Sequence, residues 1–291
     1  MAWSATGGRV QGAPQRGIGQ RIRLRARLVH PLRRLGTGFL FAVFGIGALV
    51  VAGVVFPFVA WRTEAGPARE RIAQRLIQRA FAFFVWLGTA LHLYELRAIG
   101  AERLADAPAL VVANHPTLLD VVFLISQMPQ ADCIVKRDAF QNPFLRPIVR
   151  IAGYIPNGDG RDVIDACVAR LAAGRSVVLF PEGSRSPETG LHPFKRGVAH
   201  IALRSGARLL PVFVDCDPPA LKKGQPWWSV PDRKLVFTLA VDAPVRAQDL
   251  VPPGESLATP RAVRSITAAL ERHFEAKAEA KRRDAANARQ A

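Results

Sequence analysis

The chain has 291 residues, enough for one sizeable core plus additional segments. Its formal charge of +17, from 40 Lys and Arg against 23 Asp and Glu, implies an anionic partner. No zinc finger, RNA-binding motif or basic–aromatic interleaving accompanies that charge, so an acidic membrane surface or a phosphate-bearing substrate is favoured over nucleic acid. Cys133, Cys167 and Cys216 are scattered with no C-x-x-C spacing, which excludes a disulfide frame and a thiolate metal site and fits a reducing compartment.

Residues 1–37 hold eight arginines and no acidic residue. Gly and Gln interrupt the early part, which reads as disordered at its start, and arginines alternating with Ile22, Leu24 and Ala26 read as a membrane-surface segment. Gly38 to Ala60 is 23 residues without a charge. A helix of that length is about 35 Å long, sufficient for a bilayer core. The long basic leader and the absence of a small-residue cleavage site exclude a signal peptide. Trp61 and Arg62 suit an interface anchor.

A second helix is predicted from Pro67. Arg71, Arg75 and Arg79 form one stripe and Ile72, Leu76 and Ala80 another, the pattern of a helix in the headgroup region. It runs into twelve uncharged residues, Ala80 to Leu91, too few to span a bilayer alone. The basic leader predicts a cytoplasmic N-terminus. Either 67–94 then crosses back, or 38–94 dips into one leaflet as a hairpin; both keep the rest of the chain cytoplasmic.

Beyond residue 94 strands alternate with helices, which predicts an α/β fold with a mixed sheet flanked by helices and preceded by N-terminal membrane helices. Strands are predicted at 93–99, 109–113, 133–135, 176–180 and 209–214, with an edge strand at 234–241. Helices are predicted from Pro116 to about Met128, from Asn142 to about Gly153, and over 162–173 and 195–205. A final helix opens at Thr259-Pro260 and frays beyond Lys277. The units are a basic segment 1–37, a membrane-anchoring region 38–94, an α/β domain 95–250, and a C-terminal helix with a basic tail 251–291.

Two stretches carry chemistry. Asn114-His115-Pro116-Thr117-Leu118-Leu119-Asp120 follows the apolar strand at 109–113, where polar side chains gather at the mouth of an α/β sheet. A carboxylate on one imidazole nitrogen fixes the tautomer and raises the basicity of the other, so His115 is the candidate base and Asp120 its orienting acid. Phe180-Pro181-Glu182-Gly183-Ser184-Arg185-Ser186 likewise leaves a short strand. A flexible loop bearing a cation can offer N–H groups and a guanidinium to a phosphate. No G-x-S-x-G, P-loop or H-E-x-x-H occurs, which disfavours a serine acyl-enzyme, and His with Asp alone is a poor metal set.

Together the two stretches, about 65 residues apart, resemble the N-H-x4-D and F-P-E-G-[ST]-R-S motifs of the glycerophospholipid acyltransferase family, over about residues 109–215. The resemblance implies direct acyl transfer from acyl-CoA or acyl-carrier protein to a lyso-lipid hydroxyl, with no other cofactor. It implies binding of a glycerol phosphate acceptor by Glu182 and Arg185, beside Gly183 and Ser184. Phe194-Lys195-Arg196-Gly197 resembles a run that follows in family members. The leading reaction is 1-acyl-sn-glycerol-3-phosphate to phosphatidic acid at the inner membrane, catalytic domain on the cytoplasmic face. The family's second motif, G-x-I-x-V-D-R, departs here: Asp159 stands where its Arg would be, and an acid there repels phosphate. Arg161, Lys136, Arg137 or Lys195 would have to substitute. Otherwise the acceptor carries another head group, as in lyso-ornithine lipid. A non-catalytic lipid-binding protein and an esterase are the remaining readings.

Overall fold

A computed structural model describes residues 16–106, 108–158 and 160–290, with side chains from Pro31 to 287 except 107, 159 and 285; the expectations for residues 1–15 and for Asp159 fall outside them. Helix α1 (Arg16–Val50) takes in much of the arginine-rich leader, so the predicted apolar span is the latter part of a longer helix. A π-helical turn at Val51–Val55 leads into α2 (Phe56–Arg62). Among the described residues one helical stretch, Pro31–Arg62, is long and apolar enough to cross a bilayer.

Helix α3 (Pro67–Ala90) lies against the remainder of the chain. Its inward face buries Ala73, Ile77, Phe84 and Val85, and Arg71, Arg75 and Arg79 are exposed. A polar network fixes its first turns. Gln74 Nε2 donates to Asp132 Oδ1 and to the Ala152 carbonyl, 2.9 Å each. Glu70 accepts from Arg170 and Arg175, and Arg175 also donates to both Asp132 oxygens at 2.7 Å. Buried charges need such pairing, because an unpaired one is expensive in low dielectric. Burial pushes the Glu70 carboxyl up, but the two guanidiniums outweigh it and hold the group below its ordinary value.

The strands are β1 (Tyr94–Ile99), β2 (Ala109–Ala113), β3 (Asp132–Val135), β4 (Ile155–Pro156), β5 (Val177–Leu179), β6 (Arg208–Asp217) and β7 (Leu235–Val241). They form one sheet in the order β1-β7-β6-β2-β5-β3-β4. Only β6 and β7 pair antiparallel, so the sheet is mixed, as expected. The predicted edge strand is a correction: β7 is interior and β1 is the edge. The alternation in β7 reflects one buried and one half-covered face, not an unpaired flank.

Strand β2 is buried on both faces. Ala109, Val111 and Ala113 join one core with Phe56, Phe84, Phe123 and Phe237; Leu110 and Val112 join the other with Ile201, Ile266 and Phe274. The first core lies under α1 to α3 and α4 (Asp120–Ser126). The second lies under α7 (Gly160–Ala172), α8 (Gly197–Ser205) and α9 (Pro260–Gln290). This is a layered packing that continuous apolar strands require.

Three boundaries differ from expectation for identifiable reasons. The helix predicted from Asn142 starts later, as α6 (Arg146–Ile151), because Asn142 Oδ1 accepts the N–H groups of Phe144 and Leu145 in a turn, and a short helix α5 (Arg137–Gln141) precedes it unpredicted. Helix α8 begins after Lys195, whose N–H is taken by the Pro181 carbonyl at 2.9 Å. Helix α9 continues to Gln290 instead of fraying at Lys277. Lys277 pairs with Asp242 at 2.6 Å, Lys281 with Asp215 at 3.4 Å and Arg283 with Glu279 at 2.6 Å.

Candidate active site

Parallel strands β2 and β5 deliver the two motif loops side by side at the same sheet edge. The first loop is a turn and not a helix start. Its Thr117 N–H donates to Asp120 Oδ2 at 2.7 Å, and its Leu118 N–H donates to the Leu221 carbonyl at 3.0 Å. These bonds hold residues 117–118 in a turn fastened to a distant loop, and α4 opens at Asp120 and not at Pro116. A side-chain carboxylate accepting a backbone N–H three residues earlier is a local turn bond.

Inside the turn His115 Nδ1 lies 2.8 Å from Asp120 Oδ2. The Asp120 side chain has no exposure and that of His115 retains 19%. Thr117 Oγ1 donates to Asp120 Oδ1 at 2.5 Å, so the carboxylate is held at both oxygens. Burial pushes the Asp120 carboxyl up, opposed by the hydrogen bonds from His115 and Thr117. The His115 ring stacks on Phe180, centroids 4.5 Å apart and planes at 30°. With Nδ1–H spent on the carboxylate, Nε2 is the nitrogen left with a lone pair.

The second loop is sewn to the first. His115 N–H donates to Glu182 Oε1 at 3.0 Å, and Ser186 N–H donates to the His115 carbonyl at 2.7 Å. Ser186 Oγ donates to the same Glu182 oxygen at 2.6 Å, and His192 N–H to the other at 2.9 Å. Glu182 is therefore buried and engaged with protein donors on both oxygens. Asn114 bridges β2 to β6 by two hydrogen bonds with Val214.

These bonds bring His115, Asp120, Glu182, Gly183, Ser184, Arg185 and Lys195 into one neighbourhood. Gly183 has φ +70°, and a Cβ there would meet Lys195 Nζ at 2.5 Å, so the ammonium lies over the loop. Arg185 Nη1 donates to the carbonyls of Leu221 and Lys222, at 3.3 and 3.1 Å. Arg161 differs: it is exposed in the first turn of α7 and has no hydrogen bond or ion pair to a described residue. At the turn before it, Arg137 Nη2 lies 2.7 Å from where a Gly158 Cβ would stand.

A family model described as acyltransferase matches residues 95–215, the stretch that holds both loops. This domain belongs to the acyltransferase family. Among the relatives of the acyltransferase domain, the chloroplastic 1-acyl-sn-glycerol-3-phosphate acyltransferase of Arabidopsis thaliana is 31% identical over 146 residues, 46% of this chain and 41% of that protein. The Saccharomyces cerevisiae 1-acyl-sn-glycerol-3-phosphate acyltransferase is 28% identical over 156 residues, 50% of each. The chain thus spans about half the length of the curated relatives it matches. The crystal structure of the 1-acyl-sn-glycerophosphate acyltransferase of Thermotoga maritima is similar at a TM-score of 0.58 and 20% identity, covering 88% of this chain and 98% of that one. At that identity the likeness concerns the fold.

Two contributors to the candidate site escaped sequence reading. Thr117 sits inside the first motif, three residues before the acid it holds, but nothing in that spacing marks its hydroxyl as a carboxylate partner. The Leu221 carbonyl meets both Leu118 and Arg185 from a loop over a hundred residues away from the first motif, and no local signal predicts it.

Proposed function

We propose that the chain is a membrane-bound O-acyltransferase. It moves a fatty acyl group from acyl-CoA or acyl-carrier protein to the hydroxyl of a lyso-glycerolipid, with 1-acyl-sn-glycerol-3-phosphate to phosphatidic acid as the leading reaction. The observation that carries this reading is the 2.8 Å contact between His115 Nδ1 and a fully buried Asp120, beside a ring that keeps part of its surface open. The relatives in Arabidopsis thaliana and Saccharomyces cerevisiae, both 1-acyl-sn-glycerol-3-phosphate acyltransferases, support the acceptor class.

The chemistry follows from the tautomer. His115 Nε2 takes the proton of the lipid hydroxyl as that oxygen attacks the thioester carbonyl. The carbon–oxygen bond forms, the carbon–sulfur bond breaks, and the departing thiolate takes the proton from the imidazolium. Asp120 stabilises the transient cation, a general-base contribution of about 10²–10⁴-fold. Glu182 acts here as a positioning residue that fixes the His115 backbone. Arg185, Lys195, Ser184 and Gly183 form the cationic side that receives the acceptor phosphate, with Arg161 available from α7. No cofactor beyond the thioester donor enters the scheme.

The membrane reading extends this. Arg33 near the start of the apolar stretch donates to the Asp232 carbonyl, and α2 at its far end packs beside α6. The catalytic domain therefore flanks both ends of a 32-residue helix. That arrangement supports a hairpin lying in one leaflet of the inner membrane, with the domain on the cytoplasmic face where thioester donors occur. A cysteine-accessibility map at Ser184 and at the N-terminus tests the topology: same-side labelling is expected and opposite sides refute it. Purified protein offered a panel of lyso-lipids with both donors, products read by mass, tests the reaction. Transfer only to phosphate-free acceptors would move the assignment to another head group, the reading that Asp159 favours.

A further inference from the structure

The loop between β6 and β7 is long and has two attachments. Its first part holds the catalytic turn, through the Leu221 carbonyl on Leu118 N–H and the Lys222 carbonyl on Arg185. Its later part lies on α1. The Trp227 ring packs on Phe41 with centroids 5.0 Å apart, and Arg33 Nη1 donates to the Asp232 carbonyl at 2.6 Å. Next to that contact Trp228 is 61% exposed, packed edge-on against Trp227 at 5.4 Å. On the adjoining turns of α1, Leu32, Leu35 and Phe39 are also exposed. Residues 217–234 hold four basic side chains, Lys222, Lys223, Arg233 and Lys234, against two acidic ones, Asp217 and Asp232.

We propose that this loop is a bilayer-docking element, with Trp228 seated in the headgroup region of a membrane containing anionic lipid and Lys223 on its phosphates. An indole with a polar N–H and an apolar body partitions to that region, and cations beside it gain from the surface potential. The occupant is the same lipid surface that the apolar stretch of α1 implies, since the loop is fastened to that helix through Trp227 on Phe41 and Asp232 on Arg33. The consequence for the site is geometric. The loop that meets lipid at residue 228 holds the catalytic turn at residue 221, so an amphiphilic acceptor reaches His115 without leaving the interface.

The membrane reading underlies this inference, but the test separates the two. The full chain in vesicles of phosphatidylcholine and phosphatidylglycerol carries a fluorophore at Trp228→Cys, the three native cysteines being buried. A second sample carries it at Arg204→Cys, an exposed position on α8. Quenching by nitroxide lipids and shielding from iodide at 228 but not at 204 is the expected result. Equal iodide quenching at both positions overturns the proposal, whatever the acyltransferase assay gives. Trp228→Ala and Lys223→Glu are then expected to raise KM for vesicle-borne acceptor about fivefold each, with kcat and the KM for detergent-dispersed acceptor unchanged. An unchanged vesicle KM overturns the link between docking and delivery. Lipid quenching at 228 in a chain that transfers no acyl group overturns the proposed reaction and leaves this inference standing.

Discussion

The molecule holds two His–Asp pairs of nearly the same length in different surroundings. His115 meets Asp120 at 2.8 Å, and His273 on α9 meets Asp242 at 2.7 Å. Asp120 is without exposure and takes its other bonds from Thr117, so the imidazole is its only titratable partner. Asp242 is partly exposed and also binds Lys277 at 2.6 Å. The first pair uses Nδ1 and leaves Nε2 on a ring that keeps 19% of its side chain exposed; the second spends Nε2 on a clasp between α9 and the end of β7. Distance alone does not make a catalytic dyad. The proposed dyad differs from the clasp in the burial of its acid, the nitrogen engaged and the loops gathered around the ring.

That contrast can be broken most sharply at His115. His115→Ala is expected to lower acyl transfer by about 10²–10⁴-fold while folding and membrane association persist, measured as thioester consumption alongside circular dichroism. Unimpaired turnover would end the assignment of the base. Asp120→Asn is expected to fall in the same range through kcat more than KM, since an amide neither fixes the tautomer nor accepts from Thr117 at both positions. A pure KM effect would argue that the acid acts on the acceptor instead.

A smaller effect is expected from the charge network that anchors α3. Arg175→Met leaves Asp132 as an unpaired buried charge, and a loss of about 3–5 kcal/mol in denaturant unfolding is expected. The same network predicts a pH dependence. Glu70 has a folded pKa below its ordinary value of 4.5 because of Arg170 and Arg175, so its contribution is present above that value and is lost as pH falls through the folded pKa. The stability gap between wild type and Glu70→Gln is therefore expected to shrink as unfolding is followed from neutral pH into the acid range. A gap that widens would mean the carboxylate is destabilising where it sits.

Smallest of all is the effect expected at the second pair. His273→Ala should change stability by no more than about 1 kcal/mol and leave transfer rates alone, because exposed pairs contribute little. A large loss of activity there would erase the distinction between the two dyads.

The sequence by itself determined the alternating α/β pattern, the apolar helix and the two motif loops. Each rests on local information: period-2 and continuous apolar runs, residue types that leave strands, and a charge-free stretch. His115 and Asp120 are five residues apart, so their encounter needs only one turn. The tertiary structure decided what local patterns cannot encode. It set β7 inside the sheet, started α4 at Asp120, and engaged Glu182 with three protein donors. Each of those outcomes depends on a partner distant in the chain, such as Leu221 for Leu118 or β1 for β7. Long-range pairing is chosen by which surfaces remain to be buried and which donors remain unbonded once the whole sheet has formed.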